Sequence, residues 1–166
     1  MATAVLESRL QQLDSFLIES VRDVCSTMLS WPVDSGTLEG DGQPGPFELH
    51  QVNGCIGFGG KLTGSLFLSC SDNLAVQMAR VILGTEFPAG AREVSDVVGE
   101  LTNMLAGGCK SRLCDNDCNV VMSIPNIIRG KLIRAASKDV KFMLQRQFAM
   151  PILGENLKVI ALGKFD

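Results

Sequence analysis

With 166 residues, 46% of them hydrophobic and 20% charged, the chain has the length of one domain and enough apolar surface for a proper core. Its formal net charge of −3, without basic runs, argues against a dedicated nucleic-acid binder. No apolar stretch reaches the ~20 residues of a membrane helix, and the first residues lack the pattern of a signal peptide or of a myristoylation site. The expectation is one cytoplasmic domain over residues 1–166, with no membrane and no nucleic-acid partner.

In residues 3–30, Leu6, Leu10, Leu13, Leu17, Val21, Val24 and Met28 recur at steps of three and four, which predicts one long helix covering a sheet. Trp31-Pro32 is expected to end it, because the residue before proline is pushed out of the helical region. Residues 33–46 hold four glycines and two prolines and read as a loop. Residues 47–58 and 61–70 read as a β-hairpin turning near Gly59-Gly60. The run Gly57 to Thr63 hints at a phosphate loop and fails the test: residue 55 is cysteine and residue 62 is leucine.

Ser71 is a good N-cap for a second helix, with Asp72 in its first turn. Leu74, Ala75, Met78, Val81 and Ile82 are its expected buried stripe, and Gly84 its left-handed C-cap. A third helix opens near Glu93 and runs to about Leu113. Val94, Val97, Val98, Leu101 and Leu105 share an arc roughly 100° wide. Asp96, Glu100, Asn103, Gly107 and Lys110 fall on the opposite side. Glu100 and Asn103 are i, i+3 neighbours, so their head groups can meet one partner together. Gly107 lies in this polar stripe and Gly99 flanks it. Each costs a helix roughly 1 kcal/mol against alanine, which points to a bare surface that another backbone approaches.

Four strands are expected beyond it, at 120–124, 127–136, 140–150 and 157–165. Short connections between consecutive strands favour an antiparallel sheet with helices on one face, an α+β sandwich. The six cysteines read as reduced thiols. Cys25, Cys55 and Cys70 sit in apolar patterns as small core residues. Cys109, Cys114 and Cys118 form C-x4-C-x3-C, but no C-x2-C pair is present and the one histidine, His50, is far away in sequence. Structural zinc wants tighter spacing, so the expectation is unpaired thiols and no metal.

Glu-x-x-Asn alone is a weak motif. Its setting sharpens it. Asp96-x3-Glu100-x2-Asn103 is followed by Pro125 at the end of an apolar strand. Upstream stand Ile56-Gly57-Phe58-Gly59-Gly60 and Gly64-Ser65-Leu66-Phe67-Leu68-Ser69, and the first helix carries Phe16-Leu17-Ile18-Glu19-Ser20-Val21. Together these resemble the CheC/CheX/FliY family of bacterial chemotaxis phosphatases, its CheX branch most closely, from about residue 14 to the C-terminus. The resemblance implies a CheC-like fold, a two-layer α+β sandwich whose largely antiparallel sheet carries about three helices, with the motif helix exposed. It implies a phosphatase acting on the aspartyl phosphate of a response-regulator receiver of the CheY type. Asn103 would orient the attacking water and Glu100 would pair with the receiver's lysine. Asp96, Gly99 and Gly107 would support docking. The cofactor would be the receiver's own Mg2+, with none held by this chain. Only one such motif is present, since Arg22 stands where the first helix would need asparagine, and this fits the homodimeric CheX pattern. The alternative is a dimeric adaptor that docks a receiver without turnover. From the residues alone, Glu100 and Asn103 also read as a solvated helix face.

Overall fold

A computed structural model describes residues 2–166. Helix α1 spans Ala2–Val24 and runs on through a π-wound turn, Cys25–Leu29. Ser30 closes it in the left-handed conformation, φ 55°. The Ser30 N–H donates to the Ser26 carbonyl at 3.2 Å, the bond of an αL cap, and the Trp31 N–H reaches further back, to the Cys25 carbonyl at 3.1 Å. The helix therefore stops just before Trp31-Pro32, and the cap rather than the proline supplies its last hydrogen bonds.

The sheet is antiparallel throughout, in the order β1 (Thr37–Glu39), β8 (Phe142–Ala149), β9 (Asn156–Phe165), β4 (Leu62–Cys70), β3 (Val52–Gly60). Beyond β3, two short strands continue the edge: β5 (Val120–Met122) pairs with residues 58–60, and β6 (Asn126–Arg129) with residues 52–55. Between them Ser123 staples the bend. Its backbone N–H donates to the Gly57 carbonyl, and its hydroxyl accepts from the Gly57 N–H, both at 2.9 Å.

The expected loop 33–46 contains β1, which no periodicity announces. Gly36 (φ +67°) brings the chain so close to Gln147 that a Cβ would stand 2.5 Å from the Gln147 carbonyl oxygen. Arg146 fastens the same segment. Its guanidinium donates to Asp14 of α1 at 2.5 and 2.7 Å and to the Ser35 carbonyl at 2.9 Å.

The expected hairpin is also divided. Its first arm begins at Val52, while β2 (Phe47–Leu49) leaves the sheet and pairs with β7 (Ile133–Ala135) as a separate two-stranded ribbon. The strand expected over 127–136 splits accordingly into β6 and β7. The bend is built by Asn53, whose buried amide donates to the His50 and Ile128 carbonyls at 2.8 and 3.1 Å. The ribbon lays Phe47 and Leu49 on Phe67, Met143, Ile160 and Leu162, a second apolar cluster on the face away from the helices.

Helix α2 (Asp72–Leu83) starts as expected, with Ser71 Oγ accepting the Leu74 N–H at 3.0 Å, and ends at Gly84, φ 74°. Its buried stripe is Leu74, Ala75, Met78 and Ala79; Val81 is 44% exposed. At 100° per residue Val81 falls on the margin of the arc centred between Ala75 and Met78. Helix α3 (Arg92–Asp115) buries Val94, Val97, Val98, Leu101 and Leu105 in the main core with α1, α2 and the near face of the sheet. Three helices on an antiparallel sheet make the α+β sandwich expected from the sequence.

Candidate functional site: the outer face of α3

The height of α3 above the sheet is set by one contact. Thr102 lies over Gly54 of β3, and a Cβ at Gly54 would fall inside the van der Waals envelope of the Thr102 side chain. The Thr102 hydroxyl donates back to the Val98 carbonyl at 2.7 Å, so the buried oxygen is satisfied within the helix. Beyond Gly54 its register partner Ile127 reaches the flank of α3, where a Cβ at Gly99 would meet Ile127 Cδ1 at 3.5 Å.

Arg112 anchors the other end of α3 to α1. It donates to Glu19 at 2.9 Å, to Asp23 at 2.5 Å and to the Ser20 hydroxyl at 3.1 Å. Gly108 makes this approach possible, since a Cβ there would press on Ser20 Oγ at 3.1 Å. Near its start, Arg129 of β6 donates to Ser95 at 2.8 Å and lies 3.4 Å from Asp72 of α2. These clamps join residues distant in sequence, and no local spacing signals them.

So fixed, α3 turns its polar stripe outward. Glu100 is exposed and Asn103 half-buried. Among the described residues, no hydrogen bond from another side chain or backbone group engages either head group. Asp96 is exposed and meets Arg92, one turn back, at 3.6 Å. Gly107 is open, with nothing within 4 Å of the place a Cβ would take. Gly99, by contrast, is buried. Its missing side chain makes room for this chain's own Ile127, so the bare surface in the stripe is at Gly107. A groove of about 380 Å³ runs along the Glu100 side of the helix.

The three thiols of C-x4-C-x3-C do not converge. Cys109 is buried and faces α1, 3.5 Å from Ser20 Oγ, and burial pushes its thiol up to about 11. Cys114 turns toward the Val120 carbonyl at 4.0 Å. Among the described residues no three His, Cys, Asp or Glu side chains gather at a metal-binding distance. No helix among them is long and apolar enough to cross a membrane.

What the outer face offers chemically is a carboxylate and a carboxamide side by side on one helix. The family model described as chemotaxis phosphatase CheX matches residues 52–147, which include β3, β4, α2, α3 and most of β8. The chain belongs to the CheX family. Solved structures agree with that placement. A CheC-like superfamily protein from Shewanella sp. PV-4 is 28% identical, with 91% of this chain and 97% of that one covered at a TM-score of 0.74. Chemotaxis protein CheX from Vibrio vulnificus is 25% identical over 89% and 93% of the two chains, TM-score 0.73. The CheX of a CheX–CheY–BeF3–Mg2+ complex from Borrelia burgdorferi, 19% identical over 90% and 96%, has the same fold at a TM-score of 0.72. Among curated proteins, none matches the sequence.

Proposed function

We propose that this CheX-family chain removes phosphate from the aspartyl phosphate of a CheY-like receiver, and that α3 carries the reaction. The observation that bears most weight is the pairing of exposed Glu100 with half-buried Asn103, both unengaged, on the outward face of α3. The complex of a CheX with CheY supports a receiver as the partner.

Phosphoryl transfer depends on positioning and charge stabilisation more than on covalent help. The receiver's bound Mg2+ supplies the charge neutralisation, so this chain needs no cofactor of its own. A carboxamide accepts from and donates to a water in one fixed plane, which suits Asn103 to holding the water in line with phosphorus. Asn103 sits on a helix pinned at Thr102, so little freedom is left to lose when the partner docks. Glu100, one turn back, pairs with the receiver's lysine and sets the register. Asp96 extends the acidic stripe, Gly107 lets the partner's backbone come close, and Gly99 keeps Ile127 tight against the helix. A cytoplasmic homodimer is part of this reading.

Phosphate release from a panel of phosphorylated receivers tests it. Asn103→Ala is expected to lower turnover about 100-fold or more while binding persists, the size of effect seen when one positioning group is removed. Glu100→Ala is expected to act chiefly on affinity. A receiver that binds but is dephosphorylated no faster than alone would replace this reading with that of a docking adaptor.

A further inference from the structure

The groove beside Glu100 has a composition that the Glu100–Asn103 pair does not use. Its floor is apolar: Ile82 from the end of α2, and Val97 and Leu101 from α3. Leu83, the last residue of α2, stands at its wall, 44% exposed. The opposite wall is Met28, placed by the π-wound turn that replaces the last turn of α1. Such turns are rare and concentrate where a helix is bent to a purpose, and methionine adapts its shape to what it meets. The rim is acidic, with Glu93, Asp96 and Glu100 on one side. Against them stands Arg92, paired with Asp96.

We infer that this groove is a second contact for the same receiver, taking from its surface an apolar side chain flanked by lysine or arginine. The inference rests on the proposed reading of Glu100 and Asn103. Glu100 belongs to both features, so a receiver seated on the pair already overhangs the groove. A purely apolar occupant would leave three carboxylates desolvated, and a purely cationic one would leave the floor wet; an amphipathic basic segment satisfies both. Contact here adds affinity and partner choice without touching the phosphoryl group.

The test is phosphate release against receiver concentration for the wild type, Leu83→Ser, Glu93→Gln and a control, Leu153→Ser, whose side chain is fully exposed on the β8–β9 turn. Loss of one buried apolar contact is expected to raise KM about tenfold in Leu83→Ser with kcat within about twofold. Glu93→Gln is expected to raise KM about twofold to threefold at low salt and less at high salt, since a rim charge acts through a screened field. Leu153→Ser keeps both constants. If the wild type turns a receiver over and both groove variants keep its KM, the groove inference is overturned while the Glu100–Asn103 reading stands. If the wild type accelerates no receiver, both fall. If sedimentation shows Leu83→Ser dispersing a wild-type oligomer with KM unchanged, the groove is a contact between copies, which also overturns the inference. Thermal melting of Leu83→Ser, exposed at a helix end, checks that the fold is kept.

Discussion

Thr102 of α3 rests directly on Gly54 of β3, with no space for even a methyl group between helix and strand. Gly54→Ala is expected to lower stability by about 2–3 kcal/mol, because a Cβ there must push the helix or the strand aside. Thr102→Ala in the same chain removes the two atoms nearest the added methyl that lie beyond Cβ and should return part of the loss. Denaturant unfolding of the two single variants and the double variant reads this coupling. Additive losses would mean that the contact does not set the height of α3.

Gly107 and Gly108 are adjacent and should respond oppositely. Gly107→Gln enters open space, so the better helix former is expected to raise stability by roughly 0.5–1 kcal/mol. The same side chain stands in the stripe proposed to meet the receiver and should raise KM. Gly108→Gln meets Ser20 and the Arg112 guanidinium and should destabilise. Melting curves beside release kinetics separate the two; a Gly107→Gln protein that is stable and docks normally would remove Gly107 from the interface.

Arg146 joins three segments, and its pair with Asp14 is mostly shielded, at 13% and 18% side-chain exposure. Arg146→Met leaves the Asp14 carboxylate without its partner and the Ser35 carbonyl without its donor. A loss of about 2 kcal/mol is expected, below the full cost for a wholly buried charge. Because β1 loses its tether, limited proteolysis should cut first within residues 34–46. Cleavage elsewhere at an unchanged rate would show that the edge strand holds without this arginine.

Burial pushes the Cys25 and Cys109 thiols up to about 11 and that of Cys70 up to about 12, the last with help from the Glu155 charge. In the unfolded chain these thiols ionise near 9. The folded state therefore holds protons that the unfolded state releases, and stability is intact below about pH 9 and falls as pH climbs through 11. Cys109→Ala should flatten that fall in the alkaline melting profile. In the native protein at pH 8, a thiol reagent should leave Cys25, Cys70 and Cys109 unmodified, and mass mapping of the labelled peptides checks this.

The helices were legible because each carries its own signals: the spacing of Val94, Val97, Val98, Leu101 and Leu105, the Ser71 cap, the Gly84 stop. The polar stripe of α3 followed from the same arithmetic. The placement of Val81 did not, since the width of a buried arc depends on what packs against it. Strands β1, β2 and β7 are three residues each, too short for a period to show, and each exists only through a distant partner. Arg112 and Arg146 escaped for the same reason. A surface arginine and a clamp look alike until the fold brings Glu19, Asp23 or Asp14 to meet them.

The ribbon of β2 and β7 closes a pairing across about half the chain. Loop-closure entropy makes such a pairing slow to form, and three residues a side give it little to hold with. The ribbon is thus expected to settle last onto an already assembled sheet and to lift first under stress, as a local opening below the global unfolding threshold. Lifting it bares Phe67, Ile160 and Leu162 on strands that are otherwise intact. That short-lived state carries a newly bared apolar surface, so the rate at which the ribbon opens is expected to bear on shelf life and aggregation.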